Sequence, residues 1–452
     1  MTARPRVLLL VPARSYRAAD FLLAAGRMEL DVVVASDGAL PLGGRPVIPV
    51  RPADLEASTR RVLARAGPVD AVVAADTPML VLAATVAARM GLPNHPVDAV
   101  LAATGKAAQR QRWAAAGLPQ PSFRIVPAGD SVRHAAEAVG FPCVVKAASL
   151  SASQGVLRAD HPAAAVEAAR RIRKVLDEAE RPAEEPLLIE EYLPGPELSI
   201  DGVLAAGDLT VTAVFDKPAI PDGPTFEETL LVSPSRLPAG TLAAAVRTAA
   251  DAARSLGLST GPIHAELRVA DRGPVMLELA PRSIGGLCSR ALRFGGGASL
   301  EEIVLANALG RPVPAASGSL RPCGVFMLPV PRAGVLRAVE GRAAALAVPG
   351  ITGLTITIPP GQRVRPLPDG DRYLGFIFAE GDTGPEVERA LTAGSQRLRV
   401  LIELSVSGRG RGRDRRAARE CRGCRPSSPA SGAPRSGRTG PAARRPAAGR
   451  RC

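Results

Sequence analysis

The sequence has no uninterrupted apolar run long enough to form a membrane-spanning helix. Its most apolar stretch, residues 72–90, is interrupted by Asp76 and Arg89. It therefore falls short of the ~20 apolar residues that a span requires. The first residues run into a Leu-rich segment without a small-residue cleavage site, so no signal peptide is expected. These absences favour a cytoplasmic protein that does not contact membranes.

Cysteine is also scarce, with six residues in a chain of 452, and this excludes a disulfide scaffold. Cys143, Cys288 and Cys323 are dispersed and are expected to be buried thiols. Cys421 and Cys424 have zinc-like spacing, but no second pair of ligands follows them, which argues against a zinc site. The four histidines form no Ser-His-Asp pattern.

Most of the chain has almost no net positive charge. Residues 407–452 carry 14 Arg against one Asp and one Glu, so they supply +12 of the net charge of +14. The overall basicity is therefore no argument that the body binds nucleic acid. Residues 405–452 contain no aromatic residue and no Lys, and we expect a disordered Arg-rich tail. Three interpretations remain open: an appendage without a role, a tether to nucleic acid or another anionic surface, or an out-of-frame translation of GC-rich DNA.

The rest of the chain has a globular composition, with 46% hydrophobic and 22% charged residues overall. Its length suggests about three domains or lobes. In residues 1–97, short apolar strands alternate with helical segments, which predicts an α/β lobe with a parallel sheet covered on both faces. The loop after the first strand lacks the GxGxxG fingerprint, so this Rossmann-like lobe has no dinucleotide phosphate loop.

Three further regions follow in the predicted organisation. Residues 98–196 alternate helices and strands, and residues 197–312 contain two pairs of strands separated by a long Ala-rich helix. Residues 313–404 contain short strands and end in a predicted helix over 385–404, which together predict a small C-terminal lobe. No internal repeat is present.

Two lysines lie where phosphate chemistry is expected. Lys106 opens a predicted helix, and Lys146 ends an apolar strand that leads into the Ser- and Gly-rich loop Ser149–Gly155. A Lys at a strand end reaches phosphate oxygens as a point charge, and the backbone N–H groups of a small-residue loop close on a polyphosphate. Each feature taken alone is weak, because a lone Lys is usually a solvated charge.

Carboxylates and one arginine complete the pattern further along the chain. The strand ending at Glu190 and Glu191 leads through a Pro-Gly turn to Glu197. Glu266 and Glu278 lie on two strands that, if paired antiparallel, place both carboxylates on one surface. Carboxylates held that close favour a cation such as Mg²⁺, with phosphate as a further ligand. Arg282 follows the second strand and suits a planar anion.

In their order and spacing, these motifs resemble the ATP-grasp superfamily of ATP-dependent carboxylate–amine ligases, over roughly Arg6 to Glu403. The most specific motifs are Val144-Val-Lys146 with its loop, Ile189–Glu197, and Leu277–Arg282 followed by Gly285-Gly286. The resemblance implies a two-lobed ATP-grasp domain, α+β in its catalytic part. The segment after Arg321 is similar to the extra C-terminal lobe of amino-acid-ligase-type members.

The resemblance also implies roles for individual residues. The implied nucleotide-binding residues are Lys106, Lys146, Ser149, Ser151, Ser153, Gly155, Glu190, Glu191, Tyr192, Leu193 and Glu197. The implied metal ligands are Glu266 and Glu278, for Mg²⁺ or Mn²⁺, and the implied catalytic residues are Arg282, Lys146 and Arg268. His264 also flanks the metal strand. An interpretation of equal weight is that His264 and Arg268 only make hydrogen bonds beside the two metal ligands.

The implied reaction joins an amino-acid-like carboxylate to an amine at the expense of ATP, with small molecules as partners. Two alternatives remain open, a carboxylating or purine-pathway ATP-grasp enzyme and an inactive ATP-binding protein. The last is suggested by Ala280, where the family usually has Asn, and by Gly105, where an acidic residue is common. Nucleic acid is not expected as a partner except through the tail, and a homodimer is an open expectation.

Overall fold

The computed structural model describes residues 4–404, except residues 41–45, 219, 222, 295–296 and 314–320. The predicted basic tail, residues 405–452, and its cysteine pair therefore lie outside the described residues. None of the helices in the described part of the chain combines the length and apolarity needed to cross a lipid bilayer.

The described chain alternates strands and helices throughout. The strands are β1 (Arg6–Leu10), β2 (Asp31–Ser36), β3 (Val47–Pro49), β4 (Ala71–Ala74), β5 (Phe123–Val126), β6 (Cys143–Ala147), β7 (Val156–Ala159), β8 (Leu187–Glu191), β9 (Glu197–Ala205), β10 (Asp208–Asp216), β11 (Leu230–Ser233), β12 (Gly261–Ala270), β13 (Gly273–Ala280), β14 (Cys323–Leu328), β15 (Gly334–Glu340), β16 (Ile351–Ile356), β17 (Arg363–Val364), β18 (Gly375–Glu380) and β19 (Arg399–Glu403). The helices are α1 (Ala18–Arg27), α2 (Leu55–Ala66), α3 (Leu80–Met90), α4 (Val97–Thr104), α5 (Lys106–Ala115), α6 (Val132–Val139), α7 (Pro162–Glu178), α8 (Ala239–Leu256), α9 (Leu300–Ala308), α10 (Arg342–Leu346) and α11 (Gly384–Gln396).

The N-terminal strands form a parallel sheet in the order β3-β2-β1-β4, and both of its faces are covered. Alternate residues of β1 enter different cores because successive side chains in a strand point to opposite faces. Val7 and Leu9 pack with helix α1, whereas Leu8 and Leu10 pack with helices α2 and α3. The predicted Rossmann-like α/β lobe is confirmed.

A second sheet, in the order β5-β8-β6-β7, is antiparallel and carries helices α6 and α7 on one face. Val145 of β6 and Ile189 of β8 pack there against Ile172 of α7. The opposite face of this sheet is turned toward a cavity that is described below. The side chains of β6 and β8 that alternate with those packed against the helices therefore line that cavity.

The third sheet contains eight antiparallel strands in the order β13-β12-β9-β10-β11-β14-β18-β16. Helix α8 packs on one end of it through small residues that include Ala249 and Ala253, which pack in the same core as Ile263 and Met276 of the sheet. The other end continues into strands of the predicted C-terminal lobe. That lobe is therefore an extension of this sheet rather than a detached unit.

The end of the C-terminal lobe differs from the sequence-based expectation. The predicted helix over 385–404 ends at Gln396, and Arg399–Glu403 forms strand β19, which pairs with β15 in a small sheet of order β17-β15-β19. The helix begins where Thr383 caps it by accepting a hydrogen bond from the backbone of Glu386. The run Val400-Leu401-Ile402 then has the β-branched character that suits a strand once β15 provides an edge.

Helix α9 joins two of the predicted lobes. Its Val304 and Leu305 share a buried core with Val7 and Leu9 of the N-terminal sheet. Asn307 of the same helix donates to the backbone oxygen of Leu204 in β9, at 3.1 Å. The N-terminal lobe is thus fixed against the eight-stranded sheet, and the domain boundaries drawn at residues 97, 196 and 312 stay predictions.

Candidate active site

A cavity of about 450 Å³ lies between the second sheet, the eight-stranded sheet and the N-terminal lobe. All of the predicted site residues except Ser149 and Gly155 line it. The cavity thus brings together side chains that lie up to 176 positions apart in the sequence, from Lys106 to Arg282. This cavity is therefore the candidate site, and the roles of its residues stay predictions.

The two predicted phosphate lysines both enter the cavity but have different partners. The Nζ atom of Lys106 donates to the backbone oxygen of Leu150 at 2.5 Å and lies 3.2 Å from Oε1 of Glu278. The Nζ atom of Lys146 lies 2.6 Å from Oε2 of Glu190, which is also bonded to Nε of Arg110 at 2.5 Å. Each of the two lysines is therefore paired with a carboxylate inside the cavity.

Burial governs the charges of the Arg110–Glu190–Lys146 cluster. Burial alone would raise the pKa of Glu190, but the charges of Arg110 and Lys146 outweigh it and hold the pKa below its ordinary value. Burial lowers the pKa of Lys146, although Glu190 opposes that shift. The sequence placed Arg110 on the helix that Lys106 opens but gave it no role in the site. The available signal was its position one helical turn after Lys106 on α5.

The predicted phosphate loop is held at its ends and lines the cavity with its middle. Ser149 donates through its backbone N–H and its hydroxyl to Glu185, at 3.0 and 2.7 Å. Ser151 and Ser153 face the cavity. Ala152 and Ser153 both have a φ of +56°, a left-handed conformation that is strained for residues with a side chain. Ser149 and Gly155 are thus anchors of the loop rather than lining residues.

Arg268 is bonded to the connection between the second and third sheets. Its Nη1 donates to the backbone oxygen of Leu193 at 2.5 Å, and its Nε donates to Glu197 at 2.9 Å. The Tyr192 ring stacks with Phe226 at a centroid distance of 6.2 Å, and the Arg268 guanidinium lies 5.5 Å from the Tyr192 ring. These contacts fix the geometry of the connection, and a direct catalytic role for Arg268 stays a prediction.

The paired strands β12 and β13 bring the two predicted metal ligands together. Glu266 is the register partner of Glu278, and a β-bulge follows directly after Glu266. Both carboxylates line the cavity and are partly exposed to it. Two carboxylates fit Mg²⁺, with phosphate and water oxygens completing the coordination. Ala280 offers no third oxygen from this strand, so the metal assignment rests on Glu266 and Glu278.

A buried lysine that sequence analysis missed is surrounded by three carboxylates. The Nζ atom of Lys217 is fully buried and lies 3.1, 2.8 and 3.1 Å from carboxylate oxygens of Glu197, Glu228 and Glu266. Burial alone would lower the pKa of Lys217, but the three carboxylates outweigh it and raise the pKa well above its ordinary value. Burial also raises the pKa of Glu228 to about 7, against the opposing charge of Lys217.

His264 is held between two further carboxylates. Its Nδ1 lies 3.1 Å from Asp201 and its Nε2 lies 3.2 Å from Glu266. Burial alone would lower the pKa of His264, but these carboxylates raise it to about 9, so the ring is charged near neutral pH. The other oxygen of Asp201 accepts from the backbone N–H of Ile284 at 2.7 Å. The metal strand and the loop after Arg282 are therefore connected through Asp201.

Arg282 lies at the end of the cavity nearest the N-terminal lobe. Its Nε donates to the hydroxyl of Thr77 at 2.9 Å, and Nη1 donates to the backbone oxygen of Ser283 at 2.9 Å. Gly286 has a φ of +65°, and a Cβ atom there would lie 2.7 Å from the Phe376 ring, so only glycine fits. The guanidinium thus lines the cavity from a fixed position.

Comparisons with known proteins match two parts of the chain to described domains. Residues 139–291 match the ATP-grasp domain, and residues 326–403 match L-amino acid ligase C-terminal domain 2. Carnosine synthase 1 from Gallus gallus is 31% identical over 246 residues, which cover 52% of this chain and 26% of that protein. Alanine–anticapsin ligase from Bacillus subtilis strain 168 is 28% identical over 215 residues, which cover 44% of this chain and 45% of that protein.

Solved structures give the same fold over most of the chain. The L-amino acid ligase from Bacillus licheniformis superposes with a TM-score of 0.73 at 24% identity, covering 89% of this chain and all of that one. The chain spans less than two thirds of the length of the first curated relatives that it matches.

Proposed function

We propose that the chain is an ATP- and Mg²⁺-dependent carboxylate–amine ligase acting on amino-acid-like substrates, since parts of it match an ATP-grasp domain and an L-amino acid ligase C-terminal domain. The observation that carries this proposal is the single cavity shared by Lys106, Lys146, Glu266, Glu278 and Arg282. Such a set neutralises a polyphosphate and a carboxylate side by side.

The reaction needs no nucleophile from the protein. An oxygen of the substrate carboxylate attacks the γ-phosphorus of ATP, which gives an acyl phosphate and ADP. The amine nitrogen then attacks the acyl carbon, phosphate leaves, and the nitrogen loses a proton. The chain contributes position and charge, which suits a cavity rich in fixed cations.

Each end of the cavity has a role in this proposal. Lys106 and Lys146 bind phosphate oxygens, and each exchanges its present carboxylate partner for the nucleotide. Residues Glu190 to Leu193 hold the adenine mainly through backbone groups, and Glu197 binds the ribose. Glu266 and Glu278 hold Mg²⁺, or Mn²⁺, which supplies Lewis-acid neutralisation of the phosphoryl oxygens when bound. Arg282 steadies the carboxylate and the transferring phosphoryl group.

Amino-acid-like substrates are favoured over the carboxylating or purine-pathway alternative. Residues 326–403 match a C-terminal domain of L-amino acid ligases, and two of the matched relatives are named as a carnosine synthase and an alanine–anticapsin ligase. The same C-terminal region places Asp371, Arg372 and Tyr373 on the cavity wall. The cytoplasmic location and the homodimer expected from the sequence stay predictions.

The test is ADP release by the full chain with Mg²⁺-ATP and pooled amino acids. We expect ADP release that depends on particular amino acids, and division of the pool then identifies the carboxylate and the amine. ATP binding without any release would instead support an inactive ATP-binding protein, as Ala280 suggests. Release that requires bicarbonate would support the carboxylating alternative.

A variant of the metal strand tests the site assignment. Glu278→Gln keeps the shape of the side chain but removes its charge, so we expect Mg²⁺-dependent turnover to fall about a hundredfold or more, in line with the loss of a transition-state electrostatic contact. Glu167→Gln, on the exposed side of α7, is the matched control and should turn over normally. Unchanged turnover in Glu278→Gln with a normal unfolding curve would contradict the metal assignment.

A further inference from the structure

The phosphate loop contacts a loop of the C-terminal lobe, residues 365–373, which does not belong to the second sheet. We call this segment the latch loop. The backbone N–H of Gly155 donates to the backbone oxygen of Pro368 at 3.0 Å. The side chain of Gln154 donates to the backbone oxygen of Asp369 at 3.2 Å. These two bonds tie the end of the phosphate loop to a different lobe of the protein.

Ion pairs reinforce the same contact on helix α7. Both oxygens of the Asp369 carboxylate accept from Arg171, each at 3.0 Å. A bidentate guanidinium–carboxylate pair fixes orientation as well as distance. Arg365 forms a second ion pair with Glu178 on the same helix. Both pairs connect α7, which packs under the phosphate loop, to the latch loop.

The latch loop is itself a tight turn held by backbone hydrogen bonds. The backbone N–H of Gly370 donates to the oxygen of Pro366 at 2.9 Å, and that of Asp369 donates to the same oxygen at 3.2 Å. A Cβ atom on Gly370 would lie 2.1 Å from the backbone oxygen of Arg365, so only glycine fits there. The turn therefore presents Pro368 and Asp369 to the phosphate loop in one defined arrangement.

The other anchors of the phosphate loop all come from its own half of the molecule. Glu185 holds Ser149, and Lys106 holds the backbone of Leu150. The intervening residues Ser151 to Ser153 line the cavity. Release of the latch loop would therefore remove the bonds that Gln154 and Gly155 donate to another lobe, whereas Ala147 would still donate to the backbone oxygen of Gly155 at 3.1 Å.

The latch loop also reaches the reacting end of the cavity. Its last three residues, Asp371, Arg372 and Tyr373, line the cavity wall. One short segment thus contacts the cover of the nucleotide end and the wall of the substrate end. The latch loop therefore joins the phosphate loop to another part of the cavity wall.

We propose that the latch loop holds the phosphate loop closed during turnover, with Asp369 as a positioning residue that acts through Arg171. This rests on the proposed ligase function, because closure matters most while an acyl phosphate is present. In an open site, water attacks the acyl phosphate and returns the carboxylate and phosphate. ATP is then consumed without amide formation.

The first experiment measures loop closure without reference to catalysis. Amide hydrogen exchange of the full-length chain is followed over residues 147–157, with Mg²⁺ and a non-hydrolysable ATP analogue. Arg171→Gln should raise exchange at Gly155 and its neighbours by about two- to fivefold, the effect that a partly exposed ion pair supports. Arg170→Gln is the matched control, since it removes the same charge one position away from an exposed pair with Glu167. Equal exchange in the two variants would overturn the proposal.

The second experiment measures ADP formed per amide bond formed. We expect a ratio near one in the wild type and in Arg170→Gln, and a ratio raised about two- to fivefold in Arg171→Gln and Asp369→Asn. The double variant should match the single ones, because both lose the same pair. A raised exchange rate with an unchanged ratio would overturn the water-exclusion role. If the wild type forms no amide, the proposed function fails, and the exchange experiment still decides whether the latch exists.

Discussion

His95 is a buried histidine whose hydrogen bonds define a single protonation state. Its Nε2 lies 3.2 Å from the backbone oxygen of Pro262, and its Nδ1 accepts from the backbone N–H of Thr260 at 3.3 Å. One donor and one acceptor describe the neutral ring, whereas a charged ring would set a second N–H against that of Thr260. Burial accordingly lowers the pKa of His95 to about 4, even though the bond to Pro262 opposes the shift.

This lowered pKa predicts an acid-sensitive fold. Between pH 6.5 and about 4 the unfolded chain binds a proton at His95 that the folded chain does not, so stability falls as the pH falls through this window. The loss amounts to about 3 kcal/mol. When the free energy of unfolding is measured in urea at several pH values, His95→Gln should lack this fall in stability. His134→Gln, an exposed histidine on α6, should keep it; parallel slopes in the wild type and His95→Gln would disprove the assignment.

Individual site residues were predictable where the signal is local. The spacing of Glu266 and Glu278 on two adjacent strands indicated their pairing, and the structure has them as register partners. Lys217 was not predictable, because its three carboxylate partners come from β9, β12 and a loop, and only the folded sheet brings them together. Its burial, which makes it unusual, has no signature in the neighbouring sequence.

Secondary-structure elements were predictable where one periodicity of apolar residues dominates the segment. The alternating short strands and helices of residues 1–97 gave the parallel sheet, because burial on both faces leaves continuous apolar strands. The end of α11 was not predictable, since the helix-compatible segment over 397–404 becomes a strand only by pairing with β15. The extent of the eight-stranded sheet was likewise invisible, because it depends on β11 pairing with β14, which lies 90 residues further along the chain.

Helix α8 gives a prediction at the level of one element. Its alanine face lets the helix approach the eight-stranded sheet closely, and Ala249 is completely buried there. Ala249→Leu inserts three carbon atoms into a closely packed core and should lower the free energy of unfolding by about 1–3 kcal/mol. Ala243→Leu, on the exposed side of the same helix, should change it by less than about 0.5 kcal/mol. Equal urea midpoints for the two variants would show that this interface can expand without cost.

At the scale of the whole molecule, the substrate end of the cavity depends on how the N-terminal lobe packs against the rest of the protein. Arg17 precedes α1 and is almost fully buried, and its guanidinium donates to the backbone oxygen of Ala75 at 2.8 Å and to the hydroxyl of Ser283 at 2.7 Å. Ser283 is the neighbour of Arg282, which is itself bonded to Thr77. The N-terminal lobe therefore holds the loop that carries Arg282 through both Arg17 and Thr77.

This arrangement predicts a selective defect when the lobe contact is removed. Arg17→Met keeps the apolar stem but removes both donors, so the loop that carries Arg282 loses one of its anchors. We expect turnover to fall about ten- to a hundredfold, as displacements near 1 Å cause, while ATP affinity measured by calorimetry changes by less than about twofold. Ser283→Ala should give a smaller fall in the same direction.

Arg27→Gln is the matched control for that variant, because Arg27 joins α1 to α9 through partly exposed contacts with Glu302 and Ser299. It should turn over at nearly the wild-type rate, since an exposed pair contributes ~1 kcal/mol or less to docking. If Arg27→Gln and Arg17→Met lose activity equally, general docking of the lobe and not the position of Arg282 limits the reaction. If Arg17→Met instead loses ATP affinity in proportion to turnover, the N-terminal lobe supports the nucleotide end, and the division of roles within the cavity is wrong.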